Sequence, residues 1–96
     1  VLLAGTAIAL VSSGILAKDC TPKANANLAG CNFSGAHLQR IDLHGANLSN
    51  TDLSRANLTA TSLRNANLSG SDLEGANFGG ESSAANLHGA NLPVLI

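Results

Sequence analysis

Three histidines, two cysteines and six carboxylates are the side chains of this 96-residue sequence with chemistry to offer. A metal needs ligands that converge on one ion. His37, His44 and His88 fall on different faces or coils of the arrangement that the rest of the sequence dictates, so no metal site is expected. Asp42, Asp52 and Asp72 recur within the pattern, but exposed carboxylates in water do not make a cation site on their own. Arg55 and Glu74 are expected to form a surface ion pair of small worth. Cys20 and Cys31 have no histidine nearby, which argues against zinc. In an oxidising compartment they would form a disulfide, and in a reducing one Cys31 could stay a thiol. Asn32, Asn47, Asn57 and Asn67 each open an Asn-x-Ser/Thr sequon, but the sequence pattern generates these automatically. No nucleophile–base pair, glycine-rich phosphate loop or metal motif is present, so neither catalysis nor a cofactor is expected. Aromatic residues make up 2% and net charge is −1, so neither stacking platform nor basic field invites nucleic acid.

These side chains hang on a repeat of five. From residue 26 to residue 80 the sequence runs as eleven unbroken blocks, from Ala26-Asn-Leu-Ala-Gly to Ala76-Asn-Phe-Gly-Gly, and two more begin at Ala85 and Ala90. Five matches neither the helical period nor the strand period of two. Within a block, a small residue, a polar residue and Leu read in, out, in, which is a very short strand. The next two residues read as a corner. Gly closes the block at 30, 35, 45, 70, 75, 80 and 89, where it tolerates positive φ. Strand and corner in alternation wind a coil whose axis receives Leu28, Phe33, Leu38, Leu43, Leu48, Leu53, Leu58, Leu63, Leu68, Leu73, Phe78, Leu87 and Leu92.

The pattern A-[N/D]-L-x-x resembles the pentapeptide-repeat family. The resemblance implies an all-β fold, a right-handed quadrilateral β-helix with about four blocks per turn and about 3–3.5 coils. Residues twenty apart would then stack, Leu28 under Leu48 and Leu68, with Asn27, Asn47 and Asn67 as an outer ladder. The two Phe residues fall near the ends of the column, where extra bulk can close the core. Phe78 and Leu87 are nine residues apart rather than ten, and the Glu81–Ala84 stretch lacks a central Leu. This reads as a break in the fourth face, either a decayed repeat or a bulge that re-aims Glu81.

Residues 1–17 carry no charge, and Lys18 and Asp19 end the stretch. A hydrophobic α-helix is expected there, as a membrane anchor, a cleaved export signal or a soluble cap. Gly5, Ala9 and Ser13 recur at spacing four, a stripe that lets another helix approach closely in lipid. The expected organisation is this helix, a linker or N-terminal cap over 18–25, the β-helix over 26–94 and a tail at 95–96. The apolar end of the chain could fold over the last coil, dock on a neighbour or lead into further sequence.

The function expected is a non-catalytic scaffold or accessory subunit. Residues 1–17 would hold it in a membrane, and the repeat domain would face the exported side (periplasm, thylakoid lumen or extracellular space), touching other protein subunits. Self-association through the open solenoid ends is the alternative. Some pentapeptide-repeat relatives are thought to mimic DNA against topoisomerases. That use fits less well, because Asp42, Asp52, Asp72, Glu74 and Glu81 outnumber Arg40, Arg55 and Arg64 by only two.

Overall fold

A computed structural model describes residues 18–93. The expected helix over 1–17, with Gly5, Ala9 and Ser13, and the tail at 95–96 lie outside the described residues. Among the described residues no helix is long and apolar enough to cross a membrane.

The five-residue blocks build a four-walled solenoid. The polar second residue of each block forms a single parallel bridge to the coil above. Asn27, Asn47, Asn67 and Asn91 follow one another up the first wall, and Asn32, Asp52 and Asp72 up the second. His37, Asn57 and Asn77 form the third wall, and Asp42, Ser62 and Asn86 the fourth. Each bridge takes two backbone hydrogen bonds. The Asn47 amide donates to the Ala26 carbonyl at 2.9 Å, and the Leu28 amide donates to the Asn47 carbonyl at 2.8 Å.

Corners follow from the same geometry. The Leu28 carbonyl accepts the Cys31 amide at 3.0 Å, closing a four-residue turn around Ala29 and Gly30. Its third residue, Gly30, has φ +75°, the mark of a type II turn. Turns of this kind recur around the solenoid whatever residue occupies the position: Asn25, Arg40, Asn50, Arg55, Ala60 and Asn65 also have φ between 57° and 63°. Four short strands must be bent through a full circuit, and that closure overrides the cost of a side chain in the left-handed region.

One expected corner is displaced. Gly79, not Gly80, carries the positive φ, at 84°. Nor is the fourth wall broken in the last coil: Asn86 bridges Ser62, and the Leu63 amide reaches the Asn86 carbonyl at 2.8 Å. The stretch after Phe78 is a lengthened corner. Its Ser83 amide turns back to the Gly80 carbonyl at 3.2 Å, and the Ala85 amide to the Phe78 carbonyl at 2.8 Å. Stacking runs at 20 residues below this corner and at 24 across it.

The core is a column of leucines. Leu28, Leu43, Leu48, Leu53, Leu58, Leu63 and Leu68 are fully buried, with Leu38 and Phe33 nearly so. Ala46, Ala56, Ala66, Cys31, Thr51, Thr61 and Ser71 fill the small inward positions. The buried hydroxyls are satisfied by carbonyls, Thr51 to Leu48 at 2.8 Å, Ser71 to Leu68 at 2.7 Å and Thr61 to Leu38 at 2.7 Å. Burial thins upward. Leu73, Phe78 and Leu87 only pack against the core, and Leu92, expected inside, is 46% exposed. No further coil among the described residues covers these four.

Candidate interaction surface

With Leu and small residues turned inward, the second residue of each block and the corners make the outside. Asn and Asp recur at the second position for a local reason. Their side-chain oxygen accepts the amide of the residue two places on, an Asx turn that starts the corner. Asn47 Oδ1 accepts the Ser49 amide at 3.1 Å and its hydroxyl at 2.7 Å. Asp52 does the same for Ser54, at 3.0 and 2.6 Å. The expected amide ladder forms only in part on the first wall: Asn47 Nδ2 donates to Asn27 Oδ1 at 3.4 Å and Asn91 Nδ2 to Asn67 Oδ1 at 3.3 Å, with no such bond from Asn67 to Asn47.

Asp52 stacks below Asp72, and each caps its own corner. The Ser54 hydroxyl, then its amide and the nearby Arg55 charge hold Asp52 below the ordinary carboxylate value. On the fourth wall, Asp42 is lowered by the His44 amide and ring, with Nδ1 at 2.9 Å from Oδ1. The Arg55–Glu74 ion pair does not form. The Arg55 amide meets the Glu74 carbonyl at 2.8 Å, while the guanidinium turns down towards Ser34 Oγ at 3.5 Å.

The histidines are placed differently from the expectation. Stacking by twenty brought no two of them together, but the lengthened corner changes the count. The Gly45 amide donates to the Arg64 carbonyl at 2.8 Å, and the Asn65 amide to the His88 carbonyl at 3.0 Å. His44, Arg64 and His88 thus rise in one column along the corner between the fourth and first walls. His37 stands apart on the third wall. The signal for this was in the sequence, since Asn86-Leu87-His88 repeats the Asp42-Leu43-His44 position within the block. It could be read only once the extra residues were assigned to a corner. With Arg64 between them the imidazoles are two coils apart, about 10 Å at parallel-strand spacing, and among the described residues no group of His, Cys, Asp and Glu could hold a metal.

At the lower end, Cys20 and Cys31 are joined by a disulfide, with Cα atoms 6.0 Å apart. Cys31 is buried in the inward column below Thr51 and Ser71, so the bond fastens the leading segment across the first coil. The sequon asparagines Asn32, Asn47, Asn57 and Asn67 all use Oδ1 in corner capping.

The profile described as pentapeptide repeats, eight copies, matches residues 24–59 and 41–80. A comparison with curated protein sequences gives no match. Among solved structures, the chain is similar to a pentapeptide repeat protein from the Arabidopsis thaliana thylakoid lumen, at 34% identity and TM-score 0.57, covering 72% of this chain and 48% of that one. It is also similar to HetL of the cyanobacterium Nostoc, a pentapeptide repeat protein involved in heterocyst differentiation regulation. There the identity is 40% and the TM-score 0.46, over 70% of this chain and 32% of that one. The chain therefore spans about half the length of the Arabidopsis protein and a third of HetL.

Proposed function

The chain belongs to the pentapeptide-repeat family, with its right-handed quadrilateral β-helix, and from that premise we propose that it is a non-catalytic accessory subunit whose solenoid walls contact other proteins and whose residues 1–17 hold it in a membrane. The observation that carries the reading is the division of labour inside each block. Inward residues and corner caps are committed to the fold, and what remains outside is flat, polar wall on every side. Family members are generally interaction modules rather than enzymes.

The membrane part rests on the uncharged stretch of residues 1–17 and its small-residue stripe Gly5, Ala9 and Ser13. A disulfide between Cys20 and Cys31 suits an oxidising compartment on the exported side, such as periplasm, lumen or extracellular space. The similar Arabidopsis protein comes from the thylakoid lumen, one of the compartments this reading allows. Extraction of the full chain from its membranes tests the anchor. It should resist alkaline carbonate and yield to detergent, and Gly5→Leu or Ala9→Leu should release it from its assembly. A chain that leaves with the carbonate wash ends the anchor reading.

Self-association is a second reading, favoured by the upper edge of the solenoid. The Leu73, Phe78 and Leu87 amides donate to no backbone carbonyl among the described residues, and an unpaired edge invites another. Sedimentation of the full chain decides it: a mass that rises with concentration supports it, and a constant monomer removes it.

A further inference from the structure

We propose that the first wall, together with the corner that precedes it, recognises a carboxylate-bearing segment of a partner protein. This deepens the reading of the walls as contact surfaces and rests on it.

On the first wall every bridge residue is Asn, and in Asn27, Asn47 and Asn67 the side-chain oxygen is consumed internally. Asn27 Oδ1 accepts the Ala29 amide at 3.3 Å, Asn47 Oδ1 that of Ser49 at 3.1 Å and Asn67 Oδ1 that of Ser69 at 3.0 Å. The Ser49 hydroxyl is also turned onto Asn47. The carboxamide NH2 groups remain. Each has two hydrogens, of which the ladder bonds engage one on Asn47 and one on Asn91 and none on Asn27 or Asn67. The wall thus offers donors to whatever approaches it.

No carboxylate stands on the first wall. The corner before it carries His44, Arg64 and His88 in one column, and Lys23 lies just ahead of the same corner on the segment below. Asp42 on the fourth wall is engaged by His44, its stacked neighbours Ser62 and Asn86 are neutral, and Asp19, which lies within reach of the Lys23 charge, is bonded by Thr21. Acid predominates elsewhere, with Asp52 and Asp72 on the second wall and Glu74 at the corner after it, against Arg55 at the same corner. Asn and Asp serve the Asx turn equally well, so the choice between them leaves the fold unchanged and sets which partner each wall accepts. Wall one is made for acceptors and anions, wall two for donors and cations.

An acidic protein segment suits this surface better than an acidic membrane. Two permanent cations, Lys23 and Arg64, fall short of the basic clusters of about four to eight that hold a protein to anionic lipid. A row of amide donors instead matches carbonyl and carboxylate oxygens one by one.

Titration of the isotope-labelled full chain with a decaglutamate peptide at low salt tests this, with decalysine and phosphatidylserine vesicles as the other arms. The peptide should shift the side-chain NH2 signals of Asn47 and Asn67 and weaken as salt rises. Arg64→Glu should loosen binding about tenfold or more, while Asp52→Asn and Asp72→Asn should leave it within about twofold. The wild-type spectrum locates the contact even if a variant folds poorly. No binding, shifts confined to the second wall, or binding to vesicles or decalysine alone overturns the inference. If that happens while the chain still co-purifies in a defined protein complex, only this inference fails. A chain that forms no complex at all removes the contact-subunit reading beneath it.

Discussion

The amide of Ala60 donates to the carbonyl of Ser83 at 2.7 Å, although a uniform twenty-residue register would give that acceptor to Gly79. Below this corner the matching bonds span nineteen residues, as from Arg55 to Glu74 at 2.8 Å. The difference is four inserted residues, 79–82. Removing them leaves Ala76-Asn-Phe-Ser-Ala followed by Ala85-Asn-Leu-His-Gly, two regular blocks. A chain lacking residues 79–82 should therefore fold and unfold at the same temperature or higher, since shortening a loop reduces closure entropy. Loss of the cooperative thermal transition in that variant would show that the insertion is structural.

Within the insertion, Gly79 is fixed by two constraints at once. Its φ of 84° disfavours any side chain, and a Cβ there would collide with the Ser83 carbonyl. Gly79→Ala should cost about 1–3 kcal/mol in a urea melt. Gly80, where an added Cβ meets open space and φ is not positive, should accept Ala with little change.

Leu48 is fully buried between Leu28 and Leu68 in the first-wall column. Leu48→Ala should destabilise by about 2–5 kcal/mol. Leu92→Ala, at a position 46% exposed, should cost much less. Equal losses at the two sites would contradict the gradient of burial along the solenoid.

The disulfide closes a segment of eleven-residue separation, from Cys20 to Cys31. Cys20→Ala removes the link while leaving the buried Cys31 in place, and should lower stability by about 2–4 kcal/mol. Reducing agent should lower the melting temperature of the natural chain and leave that of the variant unmoved.

Asp42 and Asp52 are both held below the ordinary carboxylate value by hydrogen bonds to the ionised form, from His44 and from Ser54. A depressed folded-state value stabilises the fold above the unfolded value and is lost as pH falls through the folded one. Stability should therefore be level above about pH 5 and decline below about pH 4. Asp52→Asn keeps the capping oxygen and should flatten part of that decline, which thermal melts between pH 2 and pH 6 measure.

Much of this architecture is legible because one residue in five carries it. Leu28 to Leu68 announce the axis, and the alternating small residues such as Ala46 and Ala56 announce how tightly it is packed. The repeat placed every corner but the one after Phe78, and the left-handed conformation was legible only where Gly stood. Arg40, Arg55 and Ala60 adopt the same left-handed turn because the closed circuit imposes it, which no local preference reveals. The His44–Arg64–His88 column was hidden for a different reason. Stacking partners depend on every residue between them, so one insertion of four after Phe78 re-pairs everything above it. Arg55 was misplaced because a long side chain at a corner can turn to the coil below as readily as to the one above.

The central claim is that the solenoid serves as a contact subunit of a membrane assembly. Native mass spectrometry of the intact full-length chain, released from its membrane before detergent exchange, tests it most directly. The account predicts a complex in which this chain is bound to other proteins, and dissociation of that complex when Gly5 is replaced by Leu. A free, water-soluble monomer from the same preparation would contradict it.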